Sequence, residues 1–186
     1  MPILGKEPDI FPEGLLDLPG IGEDSEMQWW AVHTLPRQEK SLSRKLRIRG
    51  IRHYLPQAVR KSKSPAGRVR ASFVPLFAGY VFLYGTEQER LQSLESGCIA
   101  KMLPVGDGRR LTADLRQIQK LIAANVQFAF EPRLEPGMAV RVRSGPFQGF
   151  EGQVLKRHSG DRLLVIVNYL QQGISVALDD CQLEKI

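Results

Sequence analysis

The hydrophobic pattern changes period several times along the chain, and each change predicts an element. Trp29-Trp30-Ala-Val-His-Thr-Leu35 is a short, mostly apolar run that predicts a largely buried strand. Pro36 suits a helix start, and residues 37–49 predict a helix. On a wheel of about 100° per residue, Leu35, Leu42 and Leu46 share one side while Arg37, Lys40, Arg44 and Arg47 share another. Gly50 is placed to end that helix as a C-terminal cap. Strands are expected at Tyr54–Val59, Arg68–Val74, Tyr80–Tyr84 and Ile99–Leu103, with turn-forming residues between 60 and 67 making a basic hairpin tip. Thr86 with Glu89 three residues later is a capping box, opening a helix that runs to about Ser96. A last helix is predicted over 112–124, with Leu115, Ile118 and Ile122 inward.

Beyond a patternless stretch at 125–135 the period becomes two. Val140 and Val142 face one way and Arg141 and Arg143 the other, and Gly145, Gly149 and Gly152 punctuate the loop that follows. Further strands are expected at 153–157, 162–167 and 174–178, with Phe147 and Phe150 plugging a small barrel core. The expected class is α+β: an antiparallel sheet with helices packed against one side, then a small β-barrel. The expected division is a disordered acidic leader over 1–27, an α/β sandwich over 28–124, a linker over 125–135 and a barrel over 136–186.

Charge sharpens this picture. Residues 1–27 carry seven acidic side chains against Lys6 alone, a net of −6, so the +6 of the whole chain leaves +12 for residues 28–186. A basic body of this kind fits a polyanionic partner, nucleic acid first. The candidate nucleic-acid contacts are the helix stripe Arg37, Lys40, Arg44 and Arg47, and the hairpin residues Lys61 and Lys63.

Other chemistry finds little support. No apolar run approaches the roughly 20 residues a membrane helix needs, and no secretory pattern opens the chain, so a cytoplasmic location is expected. Cys98 and Cys181 read as small buried fillers. His33, His53 and His158 are scattered without metal-ligand spacing or a partnered nucleophile, so each reads as packing or surface. Neither a phosphate-cradling glycine loop nor an elbow serine occurs, so neither enzyme, metal nor cofactor is expected.

Three segments carry a resemblance. Trp30-Ala-Val-His-Thr-Leu-Pro-Arg-Gln-Glu-Lys40 is similar to the opening strand and helix of the NusG family of transcription elongation factors. Pro75-Leu-Phe-Ala-Gly-Tyr-Val-Phe82 resembles the core of that family's NGN domain, with Ala78 where the family has proline. Gly137–Val154 resembles the KOW motif. The resemblance implies an NGN domain followed by an SH3-like KOW barrel. It implies docking on the clamp helices of the RNA polymerase β′ subunit, reaching the β side of the cleft, with Phe77, Tyr80, Pro75 and Leu76 as the contact. It implies that Arg37 lies near the non-template strand and the basic hairpin tip near upstream DNA. It further implies recruitment of termination factor Rho or a small-subunit ribosomal protein through the KOW domain at Phe147 and Phe150. A monomer is expected.

The acidic leader, the Pro-Leu-Phe form of the core motif and Asn168-Tyr-Leu-Gln-Gln172 look closer to the specialised, RfaH-like antiterminator branch. In that branch the C-terminal domain can rest as a helical hairpin. Here Gly145, Gly149, Gly152, Gly160 and Gly173 each disfavour helix by about 1 kcal/mol relative to alanine, so a constitutive barrel is expected. The competing class is a KOW-type ribosomal or rRNA-binding protein, which leaves residues 75–82 and the domain around them unexplained.

Overall fold

The computed structural model describes residues 6–23, 26–63, 69–124, 128–131, 137–157, 160–177 and 183–186. The chain divides into two compact units, Met1–Arg109 and Arg110–Ile186.

The first unit is built on a five-stranded antiparallel sheet. Its elements are β1 (Ile10–Phe11), β2 (Gln28–Thr34), β3 (His53–Tyr54), β6 (Tyr80–Gly85) and β7 (Ile99–Pro104), in the order β1-β3-β6-β2-β7. Two helices, α1 (Glu39–Ile48) and α2 (Glu87–Leu94), connect its strands, and β4 (Gln57–Lys63) pairs with β5 (Val69–Pro75) as a separate hairpin. Alternation in β2 sends Trp30 and Val32 into one core with Leu42 and Leu46 of α1, Val81 and Leu83 of β6, and Cys98. Trp29 points the other way, its ring centroid 5.1 Å from that of Tyr84.

Two of the expected helix-end signals are realised. Gly50 adopts φ 71°, its N–H reaching Arg47 O at 3.0 Å while Ile51 N–H reaches Leu46 O at 2.9 Å, the paired bonds of a Schellman cap. Thr86 Oγ1 accepts from Glu89 N at 3.2 Å, and Glu89 Oε2 accepts from Thr86 N at 2.8 Å.

Several expectations need correction. The strand expected over Tyr54–Val59 is broken between β3 and β4. The helix begins at Glu39 rather than Arg37, because Arg37 sits at φ 62°, outside the helical region. Leu35 therefore lies before the helix and is 43% exposed instead of sharing its buried side. Residues 6–23 of the leader are packed rather than disordered: Leu15 and Leu16 are fully buried, and a Cβ on Gly108 would meet Gly22 O at 2.6 Å. Finally, the stretch expected to be a linker contains β8 (Phe128–Glu131), which pairs with β12 (Gln172–Ala177).

The second unit holds α3 (Gly108–Ala123, from Arg110 onward) and a six-stranded antiparallel sheet. The sheet runs β13-β9-β10-β11-β12-β8, from β9 (Met138–Val142), β10 (Glu151–Arg157), β11 (Gly160–Val167), β12 (Gln172–Ala177) and β13 (Leu183–Lys185) with β8. Val140, Val142, Phe147, Leu163, Val165, Val167, Ile174 and Val176 are buried. On α3, Leu111, Leu115, Ile118 and Leu121 are buried; Ile122, expected inward, is half-buried. Asp114 accepts from Asn168 N at 2.9 Å and Gln117 Oε1 from Glu151 N at 2.9 Å, tying α3 to the sheet. The fold class is thus α+β, with a small antiparallel β unit at the C-terminus.

Candidate protein and nucleic-acid interface

The corner between β5 and β6 is the first candidate site. Tyr80 N–H reaches Phe77 O at 3.1 Å across a turn whose third residue, Gly79, has φ 81°, a geometry that favours glycine there. Ala78 occupies the position where proline would preset the backbone. The corner is pinned from two sides: Glu39 Oε1 on α1 accepts from Gly79 N at 2.7 Å, and Thr34 N on β2 donates to Gly79 O at 2.8 Å.

The four residues expected at this corner have unequal access. Phe77 is only 1% exposed and packs edge-on against Phe82 with centroids 6.2 Å apart, so its ring supports the corner from beneath. Leu76 is also buried, and Pro75 is half-buried. Tyr80 is the half-buried aromatic, its ring set edge-on to His33 at 5.1 Å. Cross-strand register runs Tyr80, His33, Lys101 over β6, β2 and β7, and both His33 and Lys101 are exposed. An aromatic side chain beside a cation and an imidazole is a form an interface anchor takes.

His33 and Glu39 were not legible as members of this site. His33 reads as packing or surface, and it is exposed; its register opposite Tyr80 is what places it at this corner. Glu39 sits in the first turn of α1, where a carboxylate is favoured by the helix dipole, but its bond to Gly79 joins residues 40 apart.

The basic stripe is not an open row. Lys40 Nζ donates to Phe73 O at 2.7 Å, Arg44 Nε to Glu7 Oε2 at 2.8 Å, and Arg47 Nη2 to the Pro8 carbonyl. Arg37 is exposed and holds its positive φ, which costs an arginine about 1–2 kcal/mol relative to ordinary backbone. Arg37→Gly is therefore expected to keep stability or raise it by up to about 1 kcal/mol, read as an unchanged or higher midpoint in thermal denaturation. Lys61 and Lys63 fall on β4, but their side chains lie outside the described residues, as does the tip 64–68.

The corresponding corner of the second unit is the glycine loop between β9 and β10. Gly145 at φ 90° and Gly149 at φ 84° let it fold tightly, with Gly149 N reaching Val142 O at 2.8 Å. Phe147 is buried and Phe150 half-buried, their rings edge-on at 6.2 Å. Of this pair, Phe150 is the more accessible to a partner.

Among the described residues no cluster of histidine, cysteine, aspartate and glutamate could hold a metal ion, and no helix is long and apolar enough to cross a membrane. Cys98 is buried, with its sulfur near Lys45 Nζ and Ser96 O, each at 3.5 Å. His158 and Cys181 lie outside the described residues.

Residues 27–111 match the family model described as NusG, transcription termination factor nusG. That match holds β2 through the start of α3, with the Tyr80 corner and α1 inside it, and leaves the C-terminal sheet outside. One chain of the solved structure described as the crystal structure of MjSpt4:Spt5 complex, conformation B, is 14% identical to this one. It covers 86% of this chain and 98% of its own with a TM-score of 0.28, too loose a likeness to bear on the site. No curated protein matches the chain.

Proposed function

We propose that this protein is a NusG-type transcription elongation factor whose first unit docks on RNA polymerase through the Tyr80 corner. The observation that carries the reading is the corner itself: within the matched residues 27–111, a turn pinned by Glu39 and Thr34 presents Tyr80 against exposed His33. Pinning matters because an anchor already held in place loses little entropy on binding. Phe77 and Leu76 act as its support and Pro75 flanks it. The partner in this reading is the pair of β′ clamp helices, with the domain reaching toward the β side of the cleft. The outcome is suppression of pausing or termination, as in an RfaH-like antiterminator acting from the cytoplasm. Non-template or upstream DNA would meet Arg37 and the α1 stripe. The C-terminal unit would act as a KOW domain recruiting Rho or a small-subunit ribosomal protein, with Phe150 as its accessible aromatic.

Co-purification tests the reading. Tagged full-length chain is expected to retain RNA polymerase from a lysate of its host, and the Tyr80→Ala chain to lose it. Retention of ribosomes instead, indifferent to Tyr80, would favour the KOW-type rRNA-binding reading, which accounts for the second unit but not for the match over 27–111.

A further inference from the structure

We infer that residues 6–11 are a built-in competitor for the basic face of α1, a strap that the phosphate backbone of single-stranded DNA displaces. The inference rests on the nucleic-acid half of the function proposed above, and it begins from where the stripe's donors go. Arg44 and Arg47, which the sequence alone offers to phosphates, are both engaged by the leader, through the Glu7 carboxylate and the Pro8 carbonyl. These are the two acceptor types a phosphate would replace, one anionic and one neutral. The strap's backbone fixes them there: Leu55 N donates to Asp9 O at 2.6 Å, Ile10 and Phe11 pair with Tyr54 and His53, and Lys6 bridges Asp9 at 2.9 Å.

The hold is graded along residues 6–23 of the leader. Its C-terminal part, beyond the strap, is anchored by buried Leu15 and Leu16, by Gly22 against Gly108, and by Glu23 paired with Arg109 at 2.9 Å. Its N-terminal part rests on a two-residue strand and on an ion pair whose side chains are 57% and 38% exposed. Exposed pairs of this kind contribute little and are screened by salt. The anchored end keeps Glu7 at high local concentration, while the weak end lets it leave when phosphates arrive. A leader of net −6 joined to a body of net +12 supplies the same competition at longer range.

The test is binding of a fluorescein-labelled oligothymidylate of about 20 nucleotides to the full chain, by anisotropy at about 50 mM salt. Glu7→Gln is expected to bind roughly two- to fivefold more tightly than wild type, the range a single exposed ion pair allows. Combining it with Arg44→Ala should erase that gain. Glu13→Gln makes the same charge change at an exposed leader residue beyond β1, and should leave affinity within about 1.5-fold of wild type. An equal gain from Glu13→Gln, a gain that survives Arg44→Ala, or no gain from Glu7→Gln would each overturn the strap. Absence of DNA binding by every variant would also overturn it, while leaving polymerase docking through Tyr80 to its own experiment.

Discussion

Gly152→Ala is expected to cost the C-terminal unit about 3 kcal/mol or more. A Cβ at that position would lie 2.3 Å from Leu164 O and 3.1 Å from Leu163 Cδ1. The obstacle is the backbone of β11, which is paired on both sides, with β10 and β12, so no side-chain rotation relieves it. Gly173 meets the same strand from the other side, where a Cβ would lie 2.4 Å from Val165 O. The sign of the effect separates two forms of the unit. In a helical hairpin the same substitution would be favourable by about 1 kcal/mol, since glycine is a poor helix former. Hydrogen exchange of the Leu163–Val167 amides in the full chain reads the answer: the β form predicts much faster exchange in Gly152→Ala, a helical form slower exchange.

The second large effect is a loss of stability in acid that passes through His53. The ring is buried between α1 and the sheet, its Nδ1 donating to Ile51 O at 2.9 Å and its Nε2 accepting from Ser43 Oγ at 2.8 Å. Burial disfavours its charged form most, the bond to Ile51 opposes that in part, and Arg47 adds to it, so its pKa falls from 6.5 to about 4. The unfolded chain therefore takes up this proton at a higher pH than the folded one. The contribution is complete above about pH 6.5 and is lost as pH falls toward 4, amounting to about 3 kcal/mol over that window. Denaturant unfolding at pH 7.5 and 4.5 should show the loss, and His53→Gln should flatten it by most of that amount. An equal slope in His53→Gln would assign the acid sensitivity to carboxylates instead.

Much of the first unit was legible because its signals are local. The wheel of α1 placed Leu42 and Leu46 in the core, Gly50 ended the helix, and Thr86 with Glu89 opened α2. What escaped depended on contacts distant in sequence. The leader has prolines and no period, yet it packs through Leu15, Leu16 and one glycine–glycine approach, features that composition does not reveal. Arg44 reads as a free cation until Glu7, 37 residues away, is brought beside it. Phe77 and Tyr80 are equally aromatic in sequence; the turn at Gly79 buries the first and leaves the second half-buried. The patternless stretch at 125–135 hid β8 because a strand of four residues is too short for its alternation to stand out.

Docking on RNA polymerase through Tyr80, as proposed, is decided by the affinity of the purified chain for purified core polymerase. Wild type and Tyr80→Ala would be compared by biolayer interferometry, with thermal denaturation run on both to confirm that the variant is folded. A loss of about 30-fold or more is expected in Tyr80→Ala, the effect of removing an interface anchor. Equal affinity of the two folded proteins would contradict it.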